Sequence, residues 1–300
     1  MLELYRILWR LSWRRQLRII ALSLAVAALA AAPLEFQKRI VNAIDLGTTL
    51  AELYALGAGM IGVVLLSLFL KFLLGLDSNL LGENVVRDLR KRAHAEHVAG
   101  AADGRGAGTL VTMVSSEAED LGHFVGAAFA QPVVEIGTLA SVLGFIAVSE
   151  PALGLLALAV VLPQAAIVAG TQRRVNRLLG ERIRLLRRAA DRMTAAARAE
   201  ADAGAIADFD AIHATRRRIF GWKLSTKFLV AALNAAGTVG TLMLGGWLVI
   251  EGRTDVGTVV AATIALARLQ GPWTALVAFY RRASAMRVRF ALFRDALAPR

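Results

Sequence analysis

The chain contains no cysteine. That excludes disulfides and every metal site built on thiolates. It also contains no G-x-x-x-x-G-K-[ST] run, so the lysine and amide cradle that P-loop ATPases wrap around nucleotide phosphates is missing from these residues. Acidic residues are few: 23 stand against 35 Lys and Arg, a formal net charge of +12 at pH 7. Such a balance suits either nucleic acid or an anionic membrane face. The arginines and aromatics match no nucleic-acid-binding module, so no nucleic-acid partner is expected. Only four histidines are present. His94 and His97, three apart beside Glu96, have no third ligand nearby, so neither a metal site nor a catalytic residue is expected.

Apolar residues are abundant. They make up 57% of the 300 residues, above the 45–50% of ordinary soluble domains, and mean hydropathy is +0.56. A bilayer core needs roughly 20 apolar residues in a helix. Windows 19–34, 53–70, 151–172 and 228–250 carry no charge; 121–149 is broken only by Glu135 and 256–280 only by Arg268. The prediction is an all-α membrane protein with six spans, over about 18–44, 53–76, 121–149, 151–172, 228–250 and 256–280. The alternative, a large buried helical core, rarely repeats windows of this length. The basic start and Ala30-Ala31-Ala32 imitate a signal peptide, but the apolar pattern continues past Pro33, so the first window reads as an uncleaved helix.

Basic residues then give topology. Arginines crowd the start (Arg6, Arg10, Arg14, Arg15, Arg18), the second connection (Arg87, Arg90, Arg92), the fourth (Arg173 to Arg188) and the tail (Arg281 to Arg289). The odd connections are short and hold mainly Asp45, Glu52, Glu150, Glu251 and Asp255. Both termini are therefore expected in the cytoplasm. Residues 1–16 read as an interfacial elbow helix, with Tyr5, Leu8, Trp9 and Trp13 on one face and Arg6, Arg10 and Arg14 on another. Proline-free stretches after the second and fourth spans predict helices reaching ~30–45 Å beyond the bilayer. Glycines crowd 99–108, and Gly204 is expected to interrupt the second extension, with helix resuming near Ile212. Long inner helix pairs beside tiny outer loops suit a transporter driven by a cytoplasmic motor.

At this point the sequence resembles the transmembrane domain of exporter-type ABC transporters, over nearly its whole length, 17–300. The resemblance is carried by Gly246-Trp247-Leu248-Val249-Ile250-Glu251-Gly252 followed by Val256-Gly257-Thr258-Val259-Val260-Ala261, by Gly271-Pro272, and by Arg282-Ala283-Ser284-Ala285-Met286-Arg287-Val288. Val86-Arg87-Asp88-Leu89-Arg90, Gly108-Thr109-Leu110-Val111 and Glu119-Asp120 add to it, as do Pro33 and Ile40-Val41-Asn42-Ala43-Ile44. It implies a domain-swapped dimer in which helices four and five cross to the partner. Two coupling helices would plug into nucleotide-binding domains, one near 99–108 and one near 199–210. The contacts would be Ala101, Ala102, Asp103 and Arg105, then Ile206, Asp208 and Phe209. Val98-Ala99-Gly100-Ala101 stands where the family has an aromatic. No LSGGQ-like run occurs, and position 300 falls where the ATPase domain would begin.

What the resemblance implies is a permease subunit of an ATP-driven exporter, at most the transmembrane part of an ATP-hydrolysing translocase. It would bind no cofactor itself, with ATP and Mg on separately encoded ATPase subunits. It would work with a second copy or a related chain, among lipids of the bacterial inner membrane. The same fold driven by a proton gradient, with Glu135 as proton carrier, is an alternative, as is a non-transporting scaffold or a fragment without its motor.

Intramembrane charges default to function. Glu135 and Arg268 both fall near midplane, about ten residues or ~15 Å from a span end, and Gln164 lies at similar depth. The three are expected to face a central cavity, with Glu135 and Arg268 close enough to pair. Glu35, Lys38 and Arg39 are expected to snorkel. Gly57-Ala58-Gly59-Met60-Ile61-Gly62 and the Gly122, Gly126 pair lie in apolar helix and predict close helix packing.

Overall fold

The computed structural model describes residues 2–98, 118–195 and 199–297. Among them the chain is eight helices: α1 (Leu2–Ala28), α2 (Ala32–Asp45), α3 (Leu50–Val98), α4 (Ala118–Ser149), α5 (Pro151–Ala195), α6 (Ala199–Ile250), α7 (Val256–Arg268) and α8 (Gln270–Leu297). Five stretches are long and apolar enough to cross a membrane: Trp13–Asp45, Leu50–Lys91, Glu119–Ser149, Pro151–Ala190 and Ile206–Ile250. Their most apolar windows are 6–33% buried. A soluble core would hide such surface from water, whereas a bilayer covers it with lipid.

The expected sixth span is the exception. It is split at Leu269 into α7 and α8, and neither part alone meets that length and hydropathy. The cause is Pro272. It lacks the N–H that would bond the carbonyl of Arg268, and its ring crowds that carbonyl. Leu269 stays right-handed at φ −69°, ψ −19°, its N–H bonding Leu266 O, so the chain kinks and goes on. Pro132 and Pro163 lie inside α4 and α5, which run unbroken. The first span is interrupted too, at 29–31, where Pro33 opens α2 from its first turn. Residues 2–16 are helical as expected, but no break follows them; they are the first half of α1. The second extension does not pause at Gly204 either, because a lone glycine in an alanine-rich helix costs only about 1 kcal/mol; α6 runs through it.

The helices divide into two compact units. The first holds residues 1–154 and 244–300. Its centre is α4, which packs against α1, α3 and α8, while α2 packs against α3 and α7. Ile19, Val26, Leu74, Leu81, Phe124, Val125, Ala128 and Phe279 form its apolar core, with the Phe124 and Phe279 rings stacked at 6.0 Å. The α3–α4 crossing is built on small residues. A Cβ on Gly82 would stand 2.7 Å from the Gly122 carbonyl oxygen, and one on Gly126 would strike the backbone of Ser78. The expectation for Gly122 and Gly126 therefore holds. In the other motif only Gly59 meets a neighbour, the Phe36 ring; Gly57 and Gly62 face open space.

The second unit, residues 155–243, is the greater part of α5 and α6. Side chains bridge the two helices: Thr226 Oγ1 donates to Thr171 Oγ1 at 2.8 Å, and the Arg174 guanidinium lies 4.4 Å over the Trp222 ring. Each helix carries a buried stripe at helical spacing, Val175, Leu185 and Ala189 on one and Asp208, Thr215 and Ile219 on the other.

Candidate functional site

The intramembrane polar residues occupy three different helices. Glu135 is half-buried on α4, in the first unit. Among the described residues Lys71 of α3 bears on it electrostatically, without a direct ion pair. Arg268 is the last residue of α7 and is exposed. Among the described residues no ion pair joins Glu135 to Arg268, so matched depth along two helices did not bring the two charges together. Gln164 is buried on α5 in the second unit, its Nε2 without a hydrogen-bond partner. The rotation of each helix about its own axis decides whether two residues at equal depth face each other, and depth alone carries no rotation.

Of the expected coupling contacts, Ala101, Ala102, Asp103 and Arg105 lie outside the described residues. Ile206, Asp208 and Phe209 lie in the first turns of α6. Ile206 and Phe209 are exposed and, being three apart, share a face; Asp208 is buried.

Two arrangements have no counterpart in the expected contacts. At one, Arg282 of α8 donates from Nη2 to Gln131 Oε1 of α4 at 2.7 Å, close to the Phe124–Phe279 stack. At the other, α2 is latched to the start of α7. Asn42 Nδ2 donates to Asp255 Oδ1 at 2.8 Å, and Asn42 Oδ1 accepts from the Gly257 N–H at 2.7 Å. Asp255 caps α7, accepting from the Thr258 N–H at 2.6 Å, and Lys38 Nζ stands 3.9 Å from its other oxygen. A side chain on Gly257 would collide with the Lys38 carbonyl and the Asn42 amide, so glycine is what lets the two helices meet. Lys38 thus has a specific partner, and Arg39 pairs with Glu35 at 2.7 Å; both do more than snorkel. The aspartate before Val-Gly-Thr was the sequence signal for the cap. The partnership with Asn42, 213 residues away, had none.

Burial pushes the Asp255 carboxyl up, but hydrogen bonds from Asn42 and Thr258, with the Lys38 charge, outweigh it and hold the group below the usual carboxylate range. A carboxyl held lower in the folded chain contributes stability above its unfolded value and loses it as pH falls through the folded one. Acidification below about pH 4 is therefore expected to lower the melting temperature more steeply in the native chain than in Asp255→Asn. Thermal melts across a pH series measure this, and parallel slopes would refute the latch as an acid-sensitive contact.

Comparison with known proteins gives one family. No curated protein matches the chain in sequence. The family model described as the ABC transporter transmembrane region matches residues 17–182, more than half of the chain and all of α2, α3 and α4 with the second part of α1 and most of α5. With five bilayer-length apolar stretches and helices as the only regular elements among the described residues, this makes it an integral membrane protein, a transporter's membrane subunit, and the chain belongs to the ABC transporter transmembrane region family.

Proposed function

We propose that the chain is the permease subunit of an ATP-driven exporter. It forms the substrate path with a second copy or a related chain, and separately encoded domains that bind ATP and Mg drive it. The observation that carries this reading is helix length. α3, α5 and α6 have 49, 45 and 52 residues, or ~70–80 Å, against a hydrocarbon core of ~30 Å. Helix of that length outside the bilayer is a lever, and a lever needs a motor to push it. The exposed face of Ile206 and Phe209 at the start of α6 is the described part of the surface on which a nucleotide-binding domain would dock. The separate unit formed by α5 and α6 suits helices that cross to a partner subunit. The basic bias of the start, the even connections and the tail supports cytoplasmic termini in a bacterial inner membrane.

Arg268 supports a polar pathway. A charge exposed at mid-span toward lipid costs about 2.5–3.5 kcal/mol or more. Its side chain is exposed in the single chain, so water or a second subunit must cover it in the membrane.

The test is extraction of the tagged chain from its native cells in mild detergent. A nucleotide-binding subunit should co-purify and hydrolyse ATP with vanadate sensitivity. Recovery of the folded chain with no ATPase, and an activity in vesicles that protonophores abolish and vanadate spares, would overturn the proposal in favour of a proton-driven carrier.

A further inference from the structure

A groove of about 380 Å³ runs between α1 and α3, a size usual for a small-ligand site. Three arginines line it, Arg14, Arg15 and Arg87, against a single acidic residue, Asp88. Asn84 adds an amide. Leu81, Val85 and Trp13 add apolar lining, with the Arg14 guanidinium 5.3 Å over the Trp13 ring. Asp88 engages Arg87 at 3.4 Å. That neutralises at most one of the three positive charges, so the groove keeps a surplus suited to a phosphate.

Its depth identifies the source of that phosphate. Trp13 lies on α1 just before the charge-free window that opens at Ile19, and tryptophan is enriched at the level of lipid headgroups. Arg18 Nη2 pairs with Asp77 Oδ1 at 2.5 Å, tying α1 to α3 where the apolar run of α3 ends. Leu81 lies one turn further, ~6 Å along the helix axis, within a headgroup layer ~5–7 Å thick. Toward the bilayer from the groove, Leu17 and Leu24 on α1 and Leu76 and Leu80 on α3 are exposed, an apolar surface for acyl chains. A soluble anion needs no such surface and gains nothing from a tryptophan in the lining.

We propose that this groove binds the phosphate headgroup of an anionic membrane lipid, held by Arg14, Arg15 and Arg87 with Trp13 at the glycerol level. The inference rests only on α1 and α3 crossing a bilayer; it stands or falls apart from any coupling to ATP.

The full chain, purified in detergent, is titrated with phosphatidylglycerol and, separately, with phosphatidylcholine, and retained lipid is counted by native mass spectrometry. Phosphatidylglycerol should bind in preference. Arg14→Gln/Arg15→Gln/Arg87→Gln should weaken it at least ~10-fold. Arg184→Gln/Arg187→Gln/Arg188→Gln, which removes equal charge from α5, should change it less than about twofold. Asp88→Asn leaves every arginine in place and should tighten binding, which keeps the idea testable should the triple variant not fold. Equal losses in the two triple variants, or no gain in Asp88→Asn, would overturn the site. Displacement of the lipid by millimolar inorganic phosphate would overturn the lipid as its source. Loss of vanadate-sensitive ATPase with lipid binding intact would count against the proposed exporter and not against the groove.

Discussion

Gly126→Leu is expected to leave little correctly folded protein, by at least about 3 kcal/mol, because the site cannot relax around it. Overpacking is cheap when the obstacle is the free end of a side chain. Here it is backbone: the Ser78 carbonyl lies where the new Cβ must go, and the Gly82 carbonyl lies 2.8 Å from a Cβ on Gly122. The only relief is for α3 and α4 to move apart. That opens the core at Leu74, Leu81, Phe124, Val125 and Ala128, where α4 also meets α1 and α8. Gly62→Leu is the matched control, because nothing stands within 4 Å of a Cβ there; it should cost less than about 0.5 kcal/mol. Melting of the helical circular dichroism in detergent, with the monodisperse fraction on gel filtration, reads both. Equal stability of the two variants would refute the crossing as the point where the first unit is pinned.

That contrast marks how far sequence carried. Four charge-free windows and one broken only by Glu135 located five spans, because a bilayer demands length and hydropathy in one continuous segment and both can be counted along the chain. G-x-x-x-G at Gly122 and Gly126 pointed to a real crossing because its spacing holds two small residues on one face. The Gly57, Gly59 and Gly62 pattern on α3 is glycine-rich too, but only Gly59 meets another helix; composition does not say which face is turned inward. The latch was invisible for a related reason. Asn42 and Asp255 stand 213 residues apart, and only the fold makes them partners. The midplane residues were found by depth, a property of each helix alone, whereas their pairing depends on rotation between helices. The kink at Leu269 was within reach: the missing N–H of Pro272 removes the bond at Arg268, and there the helix ends.

Arg268→Cys is expected to react with a membrane-impermeant maleimide in intact membranes on the order of 100-fold faster than Leu65→Cys. The chain has no cysteine of its own, so either introduced thiol reports alone. Maleimides attack the thiolate, and a thiol in apolar surroundings is held protonated and unreactive. Leu65 is 60% exposed on α3, in the least buried of the membrane-length stretches, and lipid is what covers it. Arg268 stands at the kink, where Pro272 leaves its own carbonyl without the usual helical bond. A guanidinium and a carbonyl that has lost its helical bond at one level both need polar company, and a water-filled path supplies it to both. Labelling at 268 as slow as at 65 would mean that a protein surface, and not water, covers the arginine. In that case a second subunit's carboxylate becomes the group to find, and the substrate path must be sought along Glu135 on α4 instead.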